Sequence, residues 1–315
     1  SDHSGGLPAV MRHCPNAKVV VSRKGLESVE GHYHQPWNFQ AVKTGDKINI
    51  GDNDLVFVEA PMLHWPDSMF TYLAGKKLLM PNDAFGQHYA AAFRFNDQVD
   101  QNELYEEALK YYANILTPFS DLVLKKIDEV LALGLPVDMI APSHGIIWRK
   151  DPLQIVTKYQ EWASNKPANT AVVVYDTMWD GTRRMADAIG EGLYSVGVQH
   201  KIYNASASDR NDIMAEILKA RTLVVGAPTV NNGIISTLAP TIEDAKRLRF
   251  KNRLFAAFGT YGWSGEAVGL LEKHFEGTGF KKIRDGLRFK WQPRVADLEQ
   301  CRAFGKEIGE ATKSA

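Results

Sequence analysis

Cysteine is almost absent from this chain: its 315 residues include two, Cys14 and Cys301, in opposite halves. Neither has a partner nearby in sequence, which argues against a disulfide scaffold and for a reducing compartment. It also excludes metal sites built from Cys pairs, so any metal must be held by histidine and carboxylates. Net charge is missing as well. Lys+Arg and Asp+Glu each number 37, and no long basic run occurs, so the electrostatic footprint of a nucleic-acid binder is absent. Apolar stretches such as "TLVVGAP" and "LFAAFG" are far too short to span a bilayer, and no signal-peptide pattern is visible. No low-complexity segment or internal repeat appears. With 44% apolar and 23% charged residues, the composition is that of a cytoplasmic globular protein with no nucleic-acid or membrane partner, long enough for two domains.

What is present falls into two halves of different pattern. The boundary is set in "EWASNKPANTAVVVYD", where a helical run ends at a Pro- and Asn-containing linker and a β-branched strand begins afresh. Domains are expected over 1–165 and 170–315. In the first, "KVVVS", "NFQAVK", "DLVFVEAP", "FTYLAG" and "KKLLMP" read as strands, the last two meeting across a Gly-Lys hairpin. A helical region from Gln101 to Leu133 follows, then a further buried strand in "VDMIAPSHG". Strands followed by helices suggest an α/β sandwich. The second half alternates regularly: "AVVVYD", "HKIYNA", "TLVVGAPT" and "RLFAAFGTYGWSG" are strands separated by amphipathic helices, the last helix being "EAVGLLEKHFEGTG". That alternation predicts a parallel, doubly wound sheet.

The polar residues of the first half gather where strands end. Asp2 and His3 stand before the Gly5-Gly6 turn, like the tail of a metal-binding loop. His64 follows "VFVEAPML", Asp83 follows "KKLLMPN", and His144 follows "VDMIAPS". Loops at one sheet edge bring residues distant in sequence to one place on rigid supports. Taken singly, His64 reads as a hydrogen-bonded core histidine, Asp83 as a turn residue and Asp2-His3 as a terminus. Taken together, two strand-end histidines and one aspartate indicate a metal site, with Asp83 able to give one oxygen to each of two ions about 3.5–4 Å apart. Nitrogen and oxygen donors suit iron, zinc or manganese alike. His32 and His34 in "GHYHQPW" offer further ligands but read better as part of an aromatic-anchored loop, His88 is near enough to Asp83 to support it, and His13, His200 and His274 read as surface residues.

In the second half, "DTMWDGTRRMA" is a strand-to-helix turn rich in hydroxyl and glycine residues. Thr177, Met178, Trp179, Asp180, Gly181 and Thr182 form it, and its backbone N–H groups can cradle a phosphate at the start of the next helix. It is neither GxGxxG nor GxxxxGK[ST], which disfavours a dinucleotide or nucleoside triphosphate and suits a mononucleotide such as FMN. Two later loops leave the same sheet edge. Pro228, Thr229, Val230, Asn231, Asn232 and Gly233 follow the third strand; Gly259, Thr260, Tyr261, Gly262, Trp263 and Gly265 follow the fourth. Tyr261 and Trp263 offer aromatic faces to an isoalloxazine, and Asn231 and Asn232 its polar partners.

The segments "DHSGGLPAV", "MLHWPDSM", "NDAFGQHY", "YYANILTPFS", "APSHGIIWR", "YDTMWDGTRRMADAI" and "FGTYGWSGEAV" resemble, over the whole chain, the flavodiiron proteins (A-type flavoproteins). Within that family the chain is most similar to the flavorubredoxins, the anaerobic nitric oxide reductases. The resemblance implies a metallo-β-lactamase-like αββα domain with a non-haem di-iron centre, followed by a flavodoxin-like domain with FMN. Carried over, Asp2, His3 and His144 bind one iron, His64 the other, and Asp83 bridges them. In the family the first ligands come from a His-x-Glu-x-Asp-His motif. This chain begins at its Asp, so it is expected to be a piece of a flavodiiron protein, its rubredoxin module cut off or supplied separately.

The implied activity is reduction of nitric oxide to N2O, of dioxygen to water, or both, with electrons passing from a rubredoxin-type donor through FMN to the iron pair. Reducing two NO to N2O and water takes two electrons, and O2 to two waters takes four; two ferrous ions and one reduced flavin together hold four. A head-to-tail homodimer, or a dimer of dimers, is implied, with FMN of one subunit beside the iron pair of the other. Two different readings compete: a zinc hydrolase fused to a flavin domain, and a flavodoxin-like electron carrier whose first half is inert.

Overall fold

The structure is a computed structural model describing residues 3–315. It divides into two compact units, Ser1–Ser164 and Asn165–Ala315.

The first unit runs α1 (Leu7–His13), β1 (Lys18–Ser22), α2 (Arg23–Tyr33), β2 (Asn38–Val42), β3 (Lys47–Asn49), β4 (Asp54–Glu59), β5 (Met69–Leu73), β6 (Leu78–Met80), α3 (Gln101–Ile115), α4 (Ser120–Ala132), β7 (Met139–Ile140) and α5 (Leu153–Ala163). Strands β1 and β2 form a separate parallel pair joined by α2, whose first turn is capped by the Ser22 hydroxyl accepting from the Gly25 amide at 3.0 Å. The main sheet has the order β3-β4-β5-β6-β7. It is antiparallel except for β6 with β7, so the C-terminal ends of β4, β6 and β7 lie on one edge. Trp148, Tyr112, Tyr159, Leu104 and Ile155 are fully buried in this unit.

Three local expectations change. The region from Gln101 to Leu133 is two helices, because Pro118 has no N–H to continue α3 and forces a 3-10 turn at Thr117–Phe119. The connection of β5 to β6 is a 3-10 turn over Ala74–Lys76 closed by Lys77 at φ 48°, rather than a bare Gly-Lys hairpin. The strand in "VDMIAPSHG" shrinks to Met139–Ile140, and the rest is the loop that carries His144.

The second unit runs β8 (Ala168–Tyr175), α6 (Gly181–Ser195), β9 (His200–Asn204), α7 (Arg210–Lys219), β10 (Ala220–Gly226), β11 (Thr229–Val230), β12 (Gly233–Ile234), α8 (Ala239–Arg247), β13 (Arg253–Tyr261), α9 (Glu266–Phe275), β14 (Phe280–Lys282), β15 (Leu287–Lys290) and α10 (Val295–Ser314). Its parallel sheet has the order β14-β13-β10-β8-β9, with β15 also pairing with β13. This is a doubly wound sheet whose order reverses between β8 and β10. The run of apolar residues in β8 and β10 follows from burial on both faces, α6 and α10 packing on one of them. Strands β14 and β15 and helix α10 extend the alternation beyond Gly279, where its sequence reading ended. Among the described residues, no helix is long and apolar enough to cross a membrane.

Candidate functional site

Because β4, β6 and β7 end on one edge, the loops after them meet. His64 leaves β4, Asp83 leaves β6 and His144 leaves β7. His3 joins them from the turn before α1. The Asp83 carboxylate is buried at the centre. Its Oδ1 lies 2.9 Å from His3 Nε2 and 3.2 Å from His144 Nε2, while Oδ2 faces His64 Nε2 at 3.7 Å. His3 and His144 bring their Nε2 atoms within 3.0 Å of each other. One donor atom each from His3, Asp83 and His144 falls within 4.8 Å of the others. Two imidazole nitrogens on one carboxylate oxygen and a third imidazole on the other is a donor set that fits two transition-metal ions sharing the carboxylate. Tyr111 donates its hydroxyl to Asp83 Oδ1 at 3.3 Å, and the His88 ring sits edge-on to those of Tyr111 and His144, with centroids 4.9 and 5.6 Å away. Asp2 lies outside the described residues.

The loops beneath these ligands are held from below. The Phe85 amide donates to the buried Tyr159 hydroxyl at 2.8 Å, and the Phe85 carbonyl accepts from Trp148 Nε1 at 2.9 Å. Burial pushes the Tyr159 hydroxyl well above its ordinary pKa, so it stays a neutral phenol.

In the second unit the loops after β8, β10, β13 and β15 converge at the C-terminal edge of the sheet, where an α/β sheet binds ligands at its switch point. They enclose an open cleft of about 440 Å³ lined by Met178, Trp179, Gly181, Pro228, Thr229, Val230, Asn231, Thr260, Tyr261, Gly262, Trp263, Trp291 and Gln292. Trp179, Trp263 and Trp291 are 79%, 80% and 64% exposed, unusual for indole rings that have nothing to bind. Thr177 Oγ1 is buried without a hydrogen-bond partner at the turn into α6, an orphan that a phosphate oxygen would satisfy. The donors and the aromatic wall fit a flavin mononucleotide.

Other members of the expected set stand outside the cleft wall. Thr182 is fully buried, its hydroxyl 2.9 Å from that of Thr260. Asp180 is held below the usual carboxylate range by the Arg183 guanidinium, 3.0 Å away. Asn231 and Asn232, at φ 48° and 58°, form the two-residue turn of the β11–β12 hairpin that Gly233 resumes, and only Asn231 reaches the cleft. Gly259 lies within β13, and Gly265 precedes α9. Sequence reading missed Trp291 and Gln292. Their signal was the alternation in "LRFKWQP", an edge strand running into an aromatic turn. Gln292 donates to the Trp179 carbonyl and accepts from Arg184 at 3.3 Å, tying this turn to the one after β8.

Comparison with known proteins gives a consistent result. Residues 1–145 match the family described as "ODP family beta lactamase", and residues 173–305 match the flavodoxin family. The chain is 48% identical over 310 residues to a nitric oxide reductase of Moorella thermoacetica, covering 98% of this chain and 78% of that protein. It is 48% identical to the anaerobic nitric oxide reductase flavorubredoxin of Klebsiella pneumoniae over 98% of this chain, but spans 64% of that relative's length. Among solved structures, the rubredoxin oxygen:oxidoreductase of Desulfovibrio gigas superposes with a TM-score of 0.95 at 38% identity, covering 99% of this chain and 78% of that one. The flavodiiron protein of Giardia intestinalis does so with a TM-score of 0.91 at 29% identity, covering 95% and 74%. With a β-lactamase-like unit followed by a flavodoxin unit, and near-complete coverage at this identity, the chain belongs to the flavodiiron protein family.

Proposed function

We propose that this chain is the catalytic core of a cytoplasmic flavodiiron reductase that converts nitric oxide to N2O, dioxygen to water, or both. The observation that carries the reading is the Asp83 carboxylate, with His3 and His144 against one oxygen and His64 toward the other. Bound there, an iron pair would supply electrons and Lewis acidity to a diatomic substrate. The chain's own part is to hold the spacing through Asp83 and to present imidazole nitrogens from rigid strand ends. The aromatic cleft of the second unit would hold FMN, with the turn at Thr177–Gly181 toward its phosphate and Trp263 and Trp291 beside its ring system. Similarity to flavorubredoxins and to a rubredoxin oxygen:oxidoreductase supports a rubredoxin-type electron donor. A head-to-tail dimer, which would bring the cleft of one copy to the metal site of another, belongs to the same proposal; full activity from a monomer would remove it.

The test is iron and flavin content of the purified chain, by elemental analysis beside the visible spectrum, followed by anaerobic NO consumption with a reduced rubredoxin. Iron and FMN together with N2O in the headspace is the expected outcome. Zinc in place of iron, with no NO consumption, would favour a hydrolase; flavin without metal would favour an electron carrier.

A further inference from the structure

We infer that Gln87 is a positioning residue: its carboxamide clamps the loop carrying Asp83 to the loop carrying His144 and so sets the distance between these two groups. The inference rests on the metal-site reading, and it concerns a side chain that, among the described residues, hydrogen-bonds to no proposed ligand's donor atom. Gln87 is completely buried. Its Oε1 accepts from the Ile146 amide at 2.6 Å, while its Nε2 donates to the Phe85 carbonyl at 2.9 Å and to the Ile146 carbonyl at 3.4 Å. Its own amide donates to the His144 carbonyl at 3.3 Å. Every one of these bonds ends within two residues of Asp83 or His144. The carboxamide thus ties the two loops together: both of its ends bond Ile146 on the His144 loop, and its Nε2 also bonds Phe85 on the Asp83 loop.

Gly145 completes the clamp. It stands at φ 80°, and a Cβ there would lie 2.3 Å from Gln87 Oε1 and 2.5 Å from the Gln87 carbonyl oxygen. The His144 loop therefore rests directly on Gln87, with no room between them. A fully satisfied buried amide is stiff, because each displacement leaves a donor or acceptor unpaired in a dry interior. Groups that orient metal ligands in this way typically govern affinity by about 10–100-fold.

The test uses the full chain as Gln87→Leu, which keeps apolar bulk and removes the bonds, and as Gly145→Ala, which forces the loops apart by a different route should the first variant fail to fold. Tyr112→Phe, which removes a buried hydrogen bond to Ser120 in the same unit, controls for general loss of stability. Cobalt(II) is titrated into apo protein by its visible absorption, beside FMN titration and thermal unfolding. The expected result is Co(II) affinity about 10–100-fold weaker in Gln87→Leu and Gly145→Ala, with FMN affinity unchanged and the Tyr112→Phe affinity at the wild-type level. Wild-type Co(II) affinity in both loop variants would overturn the inference, as would equal weakening in Tyr112→Phe. Should the wild-type chain itself bind no metal, the metal-site reading falls. The clamp is then judged from the apo crystal structure of Gln87→Leu: the Asp83–His144 contact, 3.2 Å here, opens beyond hydrogen-bond range if the clamp holds it, and its retention refutes the clamp.

Discussion

The Asp83 carboxylate is the residue on which the proposed chemistry turns. Its substitution by Asn keeps the shape and removes the charge that three imidazoles share. Asp83→Asn is expected to cut iron or cobalt binding by about 100-fold or more, beyond what loss of a supporting group costs, with FMN binding intact. Metal analysis of the two proteins, prepared together, checks it; equal metal content would dismiss Asp83 as a bridging ligand. Asp97 offers a pH test in the same unit. The Arg149 guanidinium donates to its two oxygens at 2.9 and 3.1 Å and holds it below the usual carboxylate range. A depressed carboxylate stabilises the fold above its unfolded pKa and ceases to do so as pH falls through its folded value. The wild type should therefore unfold at a higher temperature than Asp97→Asn at pH 7, and the gap should begin to narrow as pH falls to about 4, the ordinary carboxylate value, and close at lower pH as it passes the depressed folded value. A gap that persists in acid would mean the pair contributes through packing, as Arg149 also lies over the Phe95 ring at 3.8 Å.

At the scale of elements, the second unit depends on the close approach of α6 to α10. A Cβ on Gly305 would lie 2.1 Å from the Ile189 carbonyl oxygen. Alanine in a helix normally gains up to about 1 kcal/mol over glycine, but overpacking typically costs about 1–3 kcal/mol, and here the obstacle is backbone that cannot rotate away. Gly305→Ala should accordingly destabilise the protein, with a lower denaturant midpoint and an unchanged slope; a raised midpoint would mean that the helices separate without cost. The cleft loops give a second prediction. An aromatic partner contributes about 0.5–1.5 kcal/mol beyond its buried area, so Trp291→Ala should weaken FMN binding at least roughly 2- to 10-fold by fluorescence titration. An unaltered affinity would place the isoalloxazine elsewhere.

For the whole molecule, burial separates the two thiols. Cys14 is exposed; Cys301 is buried among the α6, α10 and sheet side chains, and loss of solvation pushes its thiol up to about 12. Ellman titration at pH 8 is expected to find one reactive thiol in the native chain and two in denaturant. Two native thiols would mean that α10 detaches readily.

Much of this architecture was legible in the sequence because it rests on local or periodic signals. The apolar runs of β8 and β10, the alternation of strands and helices, and the His and Asp at strand ends each follow from short-range chemistry. Membership of the family was legible in its motifs. Other features depend on contacts that no local pattern encodes. Gln87 looks like an ordinary loop amide until β6 and β7 pair in parallel and set Ile146 against it. Thr182 reads as a residue of the phosphate turn, and that its hydroxyl also lies 2.9 Å from that of Thr260, 78 residues away, is something no local pattern encodes. The lost half of the "VDMIAPSHG" strand has the same origin, since β6 offers partners only to Met139 and Ile140. By itself, then, the sequence determined which residues are candidates for the chemistry and which segments are buried. The tertiary structure alone decided which oxygen of Asp83 each histidine faces and which loops wall the cleft, because those distances are set by strand pairing and loop packing between residues far apart in the chain.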